Sequence, residues 1–139
     1  MFEFFRLWLI VAGASIAVGG LLLSLLGGTP VLAWMNRLID PAFGHGVADE
    51  SSRRFQAWIY GVLGAVMAGW GLAIAILVNG AFATRQAWVW WAVALGAGLW
   101  FVLDTGQSLR YRVFANAAIN TVLLVVLAVP LAFTFGEFH

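Results

Sequence analysis

Asp104, Asn116 and Asn120 are the residues whose types and spacing could do chemistry together, with Arg54, Gln56, Tyr60 and Arg112 as companions. A carboxylate accepts hydrogen bonds, carboxamides both donate and accept, and guanidinium groups can balance the negative charge. Such a set could hold a small polar ligand or a lipid headgroup. Gln56 and Tyr60 are four apart, as are Arg112, Asn116 and Asn120 in series, so each group lines one face of a helix. At about 1.5 Å rise per residue, Tyr60 lies about 9 Å beyond Arg54 and Asn120 about 12 Å beyond Arg112, which places them at similar depth. Thr105, Gln107 and Ser108 extend the polar patch, and Arg54, Arg110 or Arg112 could counter Asp104. The same pattern also fits interhelical hydrogen bonds that only fix register, so a binding site and structural glue both stand.

Other chemistries find no residues. The chain has no cysteine, which removes disulfides, thiolate metal sites and cysteine nucleophiles. Its two histidines, His45 in a glycine-flanked loop and His139 at the end, offer no buried imidazole pair. No nucleophile–base arrangement, phosphate loop or metal-ligand spacing is visible, so the expectation is a non-enzyme with no cofactor and no metal. A formal net charge of +1 without a clustered basic surface gives no case for nucleic acid.

The elements that must position the polar patch are apolar. Of the 139 residues 63% are hydrophobic and 9% charged, and no Asp, Glu, Lys or Arg interrupts Leu7–Asn36, Phe55–Thr84, Gln86–Leu103 or Val113–Gly136. A helix needs about 20 apolar residues to cross about 30 Å of hydrocarbon, and a charge at its centre costs about 2.5–3.5 kcal/mol. The sequence therefore predicts one all-α membrane domain over 1–139, a bundle of four transmembrane helices at about 7–26, 55–78, 87–103 and 113–135. The run from Leu7 is too long for a signal-peptide core and reads as the first helix. Gly27 suits a left-handed C-cap, and Thr29-Pro30 suits the start of a short interfacial helix over 31–40. Asp49 to Ser52 offers N-cap oxygens for the second helix, and Pro130 predicts a kink in the fourth. Short second and third loops predict helices two, three and four as consecutive antiparallel neighbours.

A small residue recurs at every fourth position of helix two: Ala57, Gly61, Ala65, Gly69 and Ala73. Gly64 and Ala68 widen the stripe, and Gly13, Ala17, Gly20, Gly96 and Gly98 offer small surfaces on helices one and three. Such surfaces let helix backbones approach closely, inside the bundle or against a second copy or membrane partner. Trp8, Trp88, Trp90 and Trp91 suit one membrane interface. Trp70 and Trp100 fall within spans, where core packing, lipid contact and an aromatic-ligand site are all open. Arg37, Arg53, Arg54, Arg110 and Arg112 lie in or beside loops one and three, against Arg6 and Arg85 on the other side. The positive-inside rule then places those loops in the cytoplasm and both termini outside.

Arg53-Arg54-Phe55, Gly69-Trp70-Gly71, the run Trp100 to Gly106, and Asn116 with Asn120 together resemble an uncharacterised family of small bacterial four-helix membrane proteins. The layout is loosely similar to DoxX-like proteins. The resemblance covers about 32–131 and implies a multi-pass protein of the bacterial cytoplasmic membrane without implying an activity. The expected function is an accessory or interaction subunit whose cytoplasm-facing polar pocket takes a small ligand or lipid headgroup. A small oligomeric transporter or channel is the alternative.

Overall fold

The computed structural model describes residues 1–35, 38 and 49–138. Four long helices run through the described residues: α1 (Phe2–Leu26), α2 (Glu50–Leu77), α3 (Ala87–Arg110) and α4 (Phe114–Thr134). A π turn, Val78–Phe82, extends α2, and a 3-10 turn, Phe135–Glu137, follows α4. With these turns the four apolar spans are 25, 33, 24 and 24 residues long, each enough to cross a bilayer. Leu25, Val66, Leu95, Leu99, Val102 and Val122 stand exposed on them, a coat that hydrocarbon accepts and water does not. The protein is an all-α, four-helix membrane bundle.

The helices overrun the charge-free windows. The third span, expected to end at Leu103, continues to Arg110 because Asp104–Leu109 contains no proline and only one glycine. Asp104 therefore lies inside a helix, about 9 Å short of its end at a rise of about 1.5 Å per residue. α4 runs through Pro130, with the Thr134 hydroxyl donating to the Pro130 carbonyl at 2.8 Å. Residues 36–37 and 39–40 of the expected interfacial helix lie outside the described residues. Its start is a 3-10 turn, Pro30–Leu32, leading into helical 33–35.

α1 and α2 pack backbone to backbone. A Cβ added at Gly20 would strike Ala68 N and Gly64 O, one at Gly64 would strike Ser24 N and Gly20 O, and one at Gly71 would strike Ala17 N and Gly13 O. The contact thus runs through Gly13, Ala17, Gly20 and Ser24 on α1 and Gly64, Ala68, Gly71 and Ala75 on α2, with spacings alternating between four and three. The contact uses the expected small residues Gly13, Ala17 and Gly20 of α1 and Gly64 and Ala68 of α2, but not the upper part of the four-residue stripe. Ala57 and Gly61 do lie against the end of α1, and the Ser24 hydroxyl donates to the Gly61 carbonyl at 3.0 Å. Ala65, Gly69 and Ala73 are exposed, and nothing within 4 Å would meet a Cβ at Gly69. A strict four-residue repeat advances about 40° around the helix per step, so the stripe winds off the contact face, whereas alternating spacings stay on it.

The neighbour relations also differ from expectation. α3 packs on α4, but α2 lies along α1 and meets α3 through its π turn and a Trp70–Trp100 ring pair at 5.4 Å rather than along its length. The molecule is two hairpins, α1–α2 and α3–α4. Their shared apolar core reaches from the termini to Ile16, Ile74, Ala97 and Leu127, with partly buried Trp70 and Val126 packed against it. Phe2, Phe82 and Phe138 close that end, and Arg85 pairs with Glu137 at 3.2 Å while lying over the Phe2 ring. Toward loops one and three, Gly20, Gly27, Tyr60 and Gly64 are buried in the α1–α2 contact, and Ser108 and Asn120 are buried in the α3–α4 contact.

Two caps correct the expected chemistry. Gly27 is right-handed at φ −58°, and it is small because a Cβ would lie 2.5 Å from Tyr60 Cβ. Thr29 donates its hydroxyl to the Leu26 carbonyl at 2.7 Å, closing α1 instead of capping the next turn. Asp49 does cap α2, accepting from the Ser52 backbone at 2.8 Å.

Candidate functional site

Asp104 gathers the α3–α4 hairpin around one carboxylate oxygen. Its Oδ1 accepts from Asn116 Nδ2 at 2.7 Å and Asn120 Nδ2 at 2.9 Å, with the Ser108 hydroxyl at 3.3 Å. The Ser108 hydroxyl also reaches the Asp104 carbonyl at 2.8 Å and accepts from Asn116 at 2.8 Å, and Asn120 reaches Thr105 Oγ1 at 3.3 Å. Helix periodicity builds this arrangement. Asp104 and Ser108 lie one turn apart on α3, Asn116 and Asn120 one turn apart on α4, and the short turn at Tyr111–Val113 brings the two faces together. Arg112 makes that turn with a left-handed backbone, φ 60°.

The carboxylate is supplied asymmetrically. Every donor it receives is neutral and falls on Oδ1, while Oδ2 receives none from the described residues. No fully buried side-chain polar atom among the described residues lacks a partner, so Oδ2 is not sealed inside the protein. The expected arginine counter-charge is absent from the described contacts. Arg54 pairs with Glu50 at 3.0 Å on the exposed start of α2, and Arg110 lies over the Tyr111 ring. Arg112 forms no ion pair with a described residue.

Gln56 and Tyr60 form a separate polar pair, with Gln56 donating to the Tyr60 hydroxyl at 3.3 Å. Tyr60 is buried under Gly27, within the α1–α2 hairpin. No described hydrogen bond joins this pair to the Asp104 group. The seven candidate residues therefore divide into Asp104, Asn116 and Asn120 together, Gln56 and Tyr60 together, and Arg54 and Arg112 apart from both. Ser108 and Thr105 belong to the first group, and their positions four and one residues from Asp104 were the signal. Gln107 is exposed. Trp100, one turn before Asp104 on the same side of α3, joins the surroundings of the carboxylate through helix periodicity alone.

Comparison with protein-family models, with curated proteins and with solved structures finds no match to this chain.

Proposed function

We propose that this chain is a non-enzymatic, multi-pass protein of the bacterial cytoplasmic membrane, an accessory or interaction subunit that holds a small ligand or lipid headgroup at Asp104. The bacterial assignment rests on the sequence resemblance. Arginine bias supports an orientation with loops one and three in the cytoplasm and the polar group open to that side.

One observation carries the reading: a carboxylate within a membrane-spanning helix has neutral donors organised on one oxygen and a second oxygen that takes none from the described residues. Glue alone does not need the charge. An asparagine at this position could join the same amides and hydroxyls without placing a carboxylate in a membrane-spanning helix. The test compares wild type with Asp104→Asn after mild solubilisation, using native mass spectrometry. Wild type should carry a bound species in defined stoichiometry, and a folded Asp104→Asn should lose it. Equal retention would return the cluster to structural glue.

The exposed Ala65, Gly69 and Ala73 face favours a second reading, a small oligomeric transporter, because it offers close approach to another copy. Flux of a charged solute into proteoliposomes, abolished by Gly69→Leu along with the oligomer, would select it.

A further inference from the structure

We infer that the species held at Asp104 is an organic cation, its ammonium group bound between the open carboxylate oxygen and the Trp100–Trp70 ring pair. This inference rests on the proposed ligand site and names its chemistry. The glutamates among the described residues have local arginine partners: Glu3 with Arg6, Glu50 with Arg53 and Arg54, and Glu137 with Arg85. Asp49 caps α2. Asp104 is the one described acidic side chain set within a span and given only neutral donors. Those donors hold Oδ1 and orient the group, and Oδ2 keeps its lone pairs for a positive charge.

Trp100 lies one turn below Asp104, about 6 Å along the helix at about 1.5 Å per residue. Its ring meets Trp70 of the other hairpin at 5.4 Å and 40°, and both rings are partly exposed. Aromatic faces attract cations, tryptophan most strongly, and alkylated ammonium groups are recognised by such rings. Trp70 packs against the edge of the shared apolar core, and Trp100 meets it at a level where α2 and α3 do not otherwise pack along their lengths. An anion would meet the carboxylate's repulsion. A bare metal ion would need more ligands than one carboxylate, and no group of three acidic or histidine side chains occurs among the described residues. An ammonium group needs one carboxylate and a ring.

An ammonium group could come from a phospholipid headgroup or from a free amine, and one experiment separates them. Purified wild type in neutral detergent, at constant ionic strength, is titrated with radiolabelled tetraethylammonium. Saturable binding is expected, weakened at least tenfold in Asp104→Asn, about three- to thirtyfold in Trp100→Leu, and less in Trp100→Phe. Glu50→Gln should bind as wild type does. In nanodiscs, a headgroup source predicts that phosphatidylethanolamine competes with the probe while phosphatidylglycerol does not; a free-amine source predicts no competition from either. Circular dichroism and gel filtration establish folding, and if Asp104→Asn fails to fold, Trp100→Leu, outside the hydrogen-bonded group, decides. Absence of saturable binding, or binding unchanged in folded Asp104→Asn or in Trp100→Leu, overturns the inference. If wild type instead carries an anionic or neutral species that Asp104→Asn loses, the ligand site stands and the cation assignment falls.

Discussion

Gly64 and Gly71 lie where the α2 backbone touches α1, so a methyl group at either position must push two helices apart. Gly64→Ala and Gly71→Ala should each lower stability in detergent by about 1–3 kcal/mol, the usual range for overpacking. Gly69→Ala should be neutral or raise stability by up to about 1 kcal/mol, since nothing lies near its Cβ and alanine favours the helix. Reversible denaturation in mixed micelles measures all three, and equal losses at Gly69 and Gly71 would contradict the described contact face. Asp49 yields a pH prediction at the same scale. Hydrogen bonds from Ser52, then from Ser51, together with the charge of Arg53, hold its carboxyl below the usual aspartate range. A depressed folded-state pKa means that the stabilisation is complete above the unfolded value, about 4, and is lost as pH falls through the lower folded value. Amide exchange at Ser52 and Arg53 should accordingly accelerate below about pH 4 in wild type, while Asp49→Asn, which still caps but does not titrate, should show no such step.

Element positions were readable where a single helix decides them. Charges avoid hydrocarbon, so four charge-free windows mark four spans whatever their neighbours are, and Asn116 with Asn120 marks a polar face because four residues make about one turn. Pairing was not readable in this way. Depth along a helix can be counted, but the direction a face points depends on the partner; Gln56 and Tyr60 match Asn120 in depth yet belong to the other hairpin. Gly64 was readable as part of a small-residue surface, whereas Gly71 was hidden for a related reason, since it shares a face with Gly64 only when spacings of four and three alternate. At this scale the α3–α4 hairpin makes its own prediction through Trp90, whose indole N–H donates to the Leu131 carbonyl at 3.0 Å. That carbonyl falls in the last turn of α4, where it also accepts from the Thr134 hydroxyl at 3.2 Å. Trp90→Phe keeps a ring but removes the donor and should cost about 0.5–1.5 kcal/mol. Trp90→Phe as stable as wild type in the same micelles would show that the bond contributes nothing.

At the scale of the whole molecule, the two ends of the bundle differ in both charge and packing. The terminal end carries Arg6 and Arg85, each paired with a glutamate, above a closed core of Phe2, Phe82 and Phe138. The opposite end carries Arg53, Arg54, Arg110 and Arg112, with Arg53 and Arg54 sharing the single carboxylate of Glu50. Basic residues rather than net charge govern insertion, so the second end should face the cytoplasm and the aromatic end the outside. The cysteine-free sequence makes this directly measurable. Ser51 and Gln107 are exposed at one end and Thr84 at the other, whereas Ser108 is buried in the Asp104 group and would report on its disruption instead. In intact cells an impermeant maleimide should label Thr84→Cys and spare Ser51→Cys and Gln107→Cys, and permeabilised cells should label all three. The reverse pattern would overturn the arginine argument. Because Asp104 lies on the arginine-rich half, that pattern would also turn the proposed cation site toward the outside and leave its chemistry unchanged.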